Sequence, residues 1–150
     1  MGAIGPSSFI QIIDGRAGIY NRTTGALMAS GSGTQLAAVS SMQATGDVQV
    51  MWDPMTNRFF YSMFNGISAT DNKISYGFSK TSSPGNITSD WCHYELEVGA
   101  PFADSQKLGD SASFIIIGAN EFSDAATGPF IGSVSLRHQQ TSARNGLPRC

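Results

Sequence analysis

The sequence predicts an all-β chain, and three observations support that prediction. Charged residues make up 13% of the chain, about half the usual ~25%. The chain contains 17 glycines in 150 residues. Apolar and polar residues alternate with a period near two, and turn residues recur about every ten residues. These features exclude a coiled coil, a helical bundle and a collagen-like chain.

The first third of the chain predicts short strands separated by tight turns. The predicted strands span Phe9–Ile13, Ala17–Tyr20 and Ala26–Met28. Asp14-Gly15 and Thr24-Gly25 supply the turns, because Gly readily adopts positive φ. Residues 30–34 are rich in Gly and Ser and predict a flexible loop. A short helix is expected next, with one side formed by Leu36, Val39 and Met42.

The remainder predicts six further strands. They span Val48–Trp52, Arg58–Phe64, Lys73–Ser79, Trp91–Val98, Ser113–Ala119 and Phe130–Leu136. Asp53-Pro54 begins a turn, since Pro presets φ and the Asp side chain can cap it. Residues 82–90 predict a loop. The run Phe59–Tyr61 places aromatic rings on both faces of its strand, which favours a buried core over an exposed aromatic platform for sugars.

One pattern occurs twice. Ile19–Leu27 aligns with Met51–Phe59, and both segments contain an aromatic residue, then Asp or Asn, then Thr, then Gly or Asn. The pattern predicts the same hairpin turn in both places. The Asp or Asn side chain would accept hydrogen bonds from turn amides, and Gly or Asn would adopt positive φ. Chance similarity between hairpins is the alternative.

The last fourteen residues differ from the rest. Residues 137–150 contain three Arg, one His and no acid. Hydrophobic patterning also stops there, so we assign residues 1–136 to the folded domain and residues 137–150 to a basic, irregular tail. A truncated or frame-shifted gene end is the alternative interpretation.

Net charge and targeting signals limit which classes of partner and which locations the sequence supports. The formal charge of −2 argues against nucleic-acid binding. No apolar run approaches the ~18–20 residues needed for membrane insertion. The segment Met1–Pro6 lacks the features of a signal peptide. Cys92 and Cys150 permit one disulfide, and glycosylation sequons occur at Asn21 and Asn86. Neither feature fixes the compartment.

Five motifs occur in order along the chain, and they are Gly5–Ile13, Gly46–Pro54 followed by Asn57–Phe59, Tyr76–Tyr94, Phe102–Gly109 and Ile117–Phe122. Together they resemble a little-characterised family of large, secreted or cell-surface β-propeller proteins with sialidase-like architecture. The resemblance covers about residues 5–132. It implies a partial β-propeller of two to three four-stranded antiparallel blades, with structural blade residues Trp52, Asp53, Trp91 and Tyr94.

The resemblance also implies a location and an assembly. A member of the family would be extracellular or at the cell surface. A propeller typically needs four or more blades to close. The chain is therefore expected to be a fragment that joins the remaining blades of a larger protein, or to associate with itself.

Acid pairs are the strongest candidates for chemistry. Asp47 and Asp53 bracket a strand, and Asp104 and Asp110 lie in one predicted loop region. Two carboxylates on either side of a sugar are the arrangement of glycoside hydrolases. Propeller turns also use Asp to tie loops, and we favour that structural role. Arg58 is expected to pair with Asp53, with a clamp for a substrate carboxylate as the alternative.

Metal and cofactor chemistry has little support in the sequence. His93 and His138 lie far apart, and the adjacent Cys92 and His93 point to opposite faces of a strand. No cofactor is expected. Calcium held by Asp104 or Asp110 with backbone carbonyls is the weak alternative.

The resemblance, together with the absence of a complete catalytic set, favours a non-catalytic module that binds glycans or extracellular proteins. The alternative is part of a glycan-active enzyme, a sialidase-like or other hydrolase or lyase. An incomplete gene product without independent function is the third interpretation. The candidate binding residues are Asp47, Arg58, Asp104, Lys107 and Asn120.

Overall fold

A computed structural model describes residues 1–39, 44–68, 70–111, 113–123 and 128–139. The described chain contains three antiparallel sheets and one short helix. Each sheet is a meander whose strands pair in chain order. We call them the N-terminal sheet, the middle sheet and the C-terminal sheet. The prediction of an all-β chain is confirmed.

The N-terminal sheet has four strands. They are β1 (Gly2–Ile4), β2 (Ser8–Ile13), β3 (Arg16–Asn21) and β4 (Leu27–Ser32). Helix α1 (Gly33–Ala37) follows. The side chain of Ser32 accepts a hydrogen bond from the backbone N–H of Gln35, and the side chain of Gln35 accepts one from the backbone N–H of Ser32. This reciprocal pair caps the helix. The helix ends at Ala38, which adopts positive φ.

The middle sheet has four strands of 9–11 residues. They are β5 (Ala44–Asp53), β6 (Arg58–Ser68), β7 (Asp71–Ser79) and β8 (Trp91–Gly99). Strand β6 is hydrophobic on both faces, so it suits a strand covered on each side. Gly77 of β7 lies beneath the ring of Tyr61 and against the carbonyl oxygen of Cys92. A Cβ atom has no room at that position.

The C-terminal sheet has three described strands. They are β9 (Phe102–Asp110), β10 (Phe114–Phe122) and β11 (Phe130–Gln139), paired in the order β11-β10-β9. Only Ala100 and Pro101 separate β8 from β9. The Asn72 side-chain nitrogen lies within 3.1–3.3 Å of the carbonyl oxygens of Gly99, Ala100 and Pro101. The asparagine therefore fixes the crossing between the two sheets.

The middle sheet packs against both neighbours and creates two core clusters. The first interface, between the N-terminal and middle sheets, buries chiefly Ile10, Ile12, Ile19, Leu36, Phe59, Tyr61, Met63 and Trp91. The second interface, between the middle and C-terminal sheets, buries chiefly Phe60, Phe64, Ile74, Phe78, Cys92, Ile115 and Ile117. The adjacent rings of Phe59 and Phe60 enter different interfaces. This confirms that the aromatic run is core on both faces of its strand.

The first strand of each sheet is an edge strand, and these three edges lie side by side. Strand β5 contacts both β1 and β9. No sheet closes on itself within the described residues. The edge strands therefore form a row along one side of the stack of sheets.

Several sequence predictions need correction. Residues 102–110 form strand β9, where we predicted a loop, and Gly2–Ile4 form the unpredicted strand β1. Residues 30–32 belong to β4 rather than to a loop. Strand β11 continues to Gln139, past the predicted domain end at residue 136. Residues 140–150 of the predicted tail, and Met42 of the predicted helix, lie outside the described residues.

The repeated hairpin pattern is confirmed as turn chemistry. Asn21 accepts hydrogen bonds from the N–H groups of Thr23 and Thr24, each at 2.9 Å. Asp53 accepts from the N–H groups of Met55 and Thr56, at 2.8 and 3.2 Å. Gly25 and Asn57 adopt positive φ, as predicted. The two turns lie at different places, since one joins β3 to β4 and the other joins β5 to β6. The repeated sequence pattern therefore marks the same kind of turn at two places, and it does not mark a repeated sheet.

Candidate functional site

A groove lies where the edge of the middle sheet meets the N-terminal sheet. Its volume is about 260 Å³, and it is lined by Met1, Ile12, Ile13, Asp14, Gly15, Gly46, Asp47 and Val48. Asp14 and Asp47 are exposed residues, and they line the groove from two different sheets. Among the candidate binding residues, Asp47 is the one that lines it. We call it the edge groove.

Both acids of the edge groove sit on specialised backbone. Asp14 begins the turn between β2 and β3 and has a φ of 47°. Asp47 also has a φ of 47°, where the register between β5 and β6 shifts. Asp tolerates this conformation better than most residues. The turn at Asp14 and the register shift at Asp47 therefore give both acids of the groove lining a left-handed backbone conformation.

Asp47 also ties the middle sheet to the C-terminal sheet. Its Oδ2 atom accepts a hydrogen bond from the Ser105 backbone N–H at 3.0 Å. Ser105 itself adopts positive φ, where β9 shifts register against β10. A hydrogen bond to a carboxylate is stronger than a neutral one. Asp47 therefore combines a structural contact with an exposed position on the edge groove.

Three other candidate binding residues come together on the C-terminal sheet. Asp104 pairs with Asn120 across β9 and β10, and Lys107 pairs with Gly118. The hydroxyl of Ser133 donates to Asn120 Oδ1 at 3.4 Å. Asn120 and Lys107 are exposed, and Asp104 is half-buried. These side chains lie on the face of the sheet opposite the buried Ile115 and Ile117, so they are separate from the edge groove.

Arg58 does not make the ion pair that we predicted. It lies opposite Asp53 in the register of β5 and β6. Within the described residues no ion pair joins the two, and the guanidinium Nη1 donates to the Asn57 carbonyl oxygen at 3.3 Å. Burial lowers the pKa of Arg58. The Asp53 carboxylate is 1% exposed and is occupied by the turn, including the Thr56 hydroxyl at 2.6 Å.

The aromatic residues assigned to structure occupy packed positions. Trp52 meets Phe59 edge to face at 4.7 Å between ring centroids. Trp91 is 2% exposed and meets Tyr61 at 5.7 Å in the first interface. Tyr94 stacks on Tyr76 at 5.3 Å at the margin of the second interface. All three rings pack against aromatic neighbours, and their role as blade residues stays a prediction.

Each interface also contains a tyrosine–histidine pair that the sequence analysis did not anticipate. The Tyr61 hydroxyl lies 3.1 Å from His93 Nδ1 at the first interface. The Tyr76 hydroxyl lies 3.3 Å from His138 Nδ1 at the second. Burial lowers the pKa of both histidines. The alternation of apolar residues in these strands was the available sequence signal. It does not show which tyrosine each histidine contacts, because that depends on the register between the strands.

The acids of each predicted pair lie on a single strand. Asp53 ends β5, while Asp47 lies near its beginning, and Asp104 and Asp110 lie in strand β9 instead of one loop. Metal ligation is not apparent, since no three His, Cys, Asp or Glu side chains cluster within the described ranges. Cys92 is buried and disulfide-bonded, and Cys150 lies outside the described residues. None of the described helices is long and apolar enough to span a membrane.

Comparison with known proteins identified no relative. No protein-family model, curated protein or solved structure matches the chain. The resemblance to secreted β-propeller proteins therefore stays a prediction.

Proposed function

We propose that the chain is part of a β-propeller and acts as a non-catalytic binding module for glycans or proteins, outside the cell or at its surface. In this proposal the three sheets are consecutive blades. The observation that carries the proposal is the row of edge strands, in which β5 contacts both β1 and β9. Consecutive blades place their first strands side by side around a common axis.

The edge groove is the proposed binding site. It lies where β5 meets the N-terminal sheet, and its two acids, Asp14 and Asp47, come from two different sheets. Carboxylate oxygens accept hydrogen bonds from sugar hydroxyls and peptide N–H groups. The apolar walls formed by Ile12, Ile13 and Val48 suit the C–H faces of a ligand.

A structural use of the other acids favours binding over catalysis. Asp53 is buried and accepts from a turn. Asp90 accepts from the N–H groups of Gly85 and Asn86 and orders the loop before β8. Calcium, cofactors and nucleic acid have no part in this proposal.

The test is a binding screen followed by matched variants. We expect the chain to bind a member of a panel of immobilised glycans or extracellular proteins. Asp14→Asn should weaken that binding about tenfold or more, because a hydrogen bond to a charged group contributes about 1.5–3 kcal/mol. Asp110→Asn is the control, since Asp110 is an exposed carboxylate outside the groove.

Two results would count against the proposal. Equal losses in Asp14→Asn and Asp110→Asn would remove the edge groove as the site. Turnover of a glycan that Asp47→Ala or Asp104→Ala abolishes would replace the binding module with an enzyme. Asp14→Asn is the first variant to make because, unlike Asp47, its carboxylate has no contact with the neighbouring sheet among the hydrogen bonds described above.

A further inference from the structure

The N-terminal sheet has one face packed in the core and one face uncovered. We call the uncovered face the leading face. It contains Ile4, Phe9, Ile13, Tyr20 and Leu27. Phe9 and Ile13 alternate along β2 with the buried Ile10 and Ile12, and the cross-strand pairs Ile4–Phe9, Phe9–Tyr20 and Tyr20–Leu27 place the other residues on the same face. Ile4, Ile13 and Leu27 are 58%, 51% and 57% exposed. Exposed apolar patches of this kind mark interaction surfaces.

The leading face is also concave. Two grooves of about 450 and 470 Å³ lie on it, and both are lined by Gln11 and Tyr20. The rings of Phe9 and Tyr20 lie 6.0 Å apart and cover Gly2 and Gly18, respectively. The face therefore offers apolar grooves around a polar centre, which is a surface that a neighbouring sheet can fill.

At the other end of the stack, the C-terminal sheet also has one face that is exposed among the described residues. We call it the trailing face. It contains Ile116 and Phe130, which are 36% and 60% exposed, together with the polar Lys107, Asn120 and Arg137. Phe130 meets Phe122 edge to face at 5.9 Å. The trailing face thus has apolar side chains, although its centre is polar.

The two uncovered faces are the ends of one stacking pattern. Within the chain, the N-terminal sheet packs on the middle sheet, and the middle sheet packs on the C-terminal sheet. Along the stack of sheets, the edge strands follow the order β1, β5 and β9, because β5 contacts both of the others. A trailing face placed on a leading face would continue this order of sheets from one chain into the next, with exposed apolar side chains contributed by both faces.

We propose that the leading face binds the trailing face of a second copy of this chain, so that copies associate head to tail. The two faces differ, so the interface is heterologous, and such interfaces generate closed rings when the rotation permits. This inference rests on the blade arrangement of the proposed function. Its test uses no ligand, so the two can fail separately.

The experiment measures the mass of the purified chain in solution by light scattering, at micromolar concentrations. We expect a mass greater than that of one chain. Leu27→Asp on the leading face and Ile116→Asp on the trailing face should each reduce the assembly to monomers. Met55→Asp is the matched control, because Met55 is 57% exposed in the turn between β5 and β6.

Mixing the two face variants gives the sharpest result. Leu27→Asp keeps an intact trailing face, and Ile116→Asp keeps an intact leading face. An equimolar mixture should therefore form a dimer of one chain of each kind and nothing larger. Far-UV circular dichroism checks that each variant is folded, and Ile13→Asp replaces Leu27→Asp if that variant is unfolded.

Three results would overturn the inference. They are a monomeric wild-type chain, a mixture that stays monomeric, and an assembly that Leu27→Asp breaks while Ile116→Asp leaves it intact. The last result would mean that two leading faces pack together symmetrically. A monomeric wild type that still binds ligand through Asp14 would leave the proposed function standing. An assembly that binds no member of the panel would do the reverse.

Discussion

Each interface of the middle sheet contains a tyrosine–histidine pair, and the two tyrosines differ in how deeply they are buried. At the first interface, Tyr61 is 1% exposed, and its hydroxyl lies near both His93 Nδ1 and the Leu36 carbonyl oxygen, at 3.1 and 3.3 Å. At the second interface, Tyr76 is half-buried and its hydroxyl meets His138 Nδ1 at 3.3 Å.

The difference in depth changes the surroundings of each pair. His93 has a second contact, since its Nε2 lies 3.1 Å from the Thr88 carbonyl oxygen. His138 instead packs among the rings of Tyr76, Tyr94 and Phe78, and its buried Nε2 has no hydrogen-bond partner among the described residues. Burial raises the pKa of both tyrosines. The tyrosine is thus fully buried at the first interface and half-buried at the second, while both histidines are half-buried.

Removing one ring from each interface should have the largest effect. Phe59→Ala and Phe60→Ala should each lower the free energy of unfolding by about 3–5 kcal/mol, because each truncates a fully packed aromatic ring. Hydrogen exchange should locate the damage. We expect faster exchange in β2 and β3 for Phe59→Ala, and in β10 for Phe60→Ala.

The two variants are controls for each other, since the residues are neighbours on β6 and differ in which face they occupy. An identical exchange pattern in both would contradict the separation into two interfaces. The described sheets would then unfold as one cooperative unit.

Removing the tyrosine hydroxyls should separate the interfaces by depth. Tyr61→Phe should cost about 1–3 kcal/mol, because buried polar groups lose their partner. Tyr76→Phe should cost less than about 1 kcal/mol, because water reaches a half-buried position. Urea unfolding at a constant m-value measures both. Equal costs for the two variants would contradict the difference in depth.

Acid should weaken both interfaces by a smaller amount. Burial lowers the pKa of His93 and His138 in the folded chain. The unfolded chain therefore takes up protons first as the pH falls below the ordinary histidine pKa of about 6.5, and stability decreases with it. Stability should be fully present above that pH and fall continuously toward the lowered pKa values.

The measurement is the thermal midpoint between about pH 7.5 and about pH 5.5, where histidine is the side chain that ordinarily titrates. His93→Gln and His138→Gln should each remove part of the decrease, and the double variant should remove most of it. A wild-type midpoint that does not change across this range would contradict the prediction.

Local chemistry was readable in the sequence, and long-range register was not. The turns at Asn21 and Asp53 followed from residue type alone, because Asp and Asn cap turns through their own side chains. Strand β9 was missed because its buried residues, Ala103 and Gln106, are three apart, and the positive φ of Ser105 breaks the alternation.

The candidate site shows the same limit. Asp47 was identified as a candidate, but its neighbour Asp14 was read only as a turn residue. The two line one groove because separate sheets meet there, and no spacing in the sequence encodes that meeting. Likewise, Asp104 and Asn120 lie opposite each other only through the register of β9 and β10.

The two joints between sheets differ in length, and this has a consequence for how the chain tolerates change. Residues 33–43 connect the N-terminal sheet to the middle sheet, whereas Ala100 and Pro101 alone connect the middle sheet to the C-terminal sheet. Asn72 holds all three carbonyls at that short crossing. We therefore expect an insertion at the first joint to leave the second joint unchanged. An insertion between Gly99 and Phe102 should instead displace the carbonyls that Asn72 contacts and disturb the packing of the middle and C-terminal sheets.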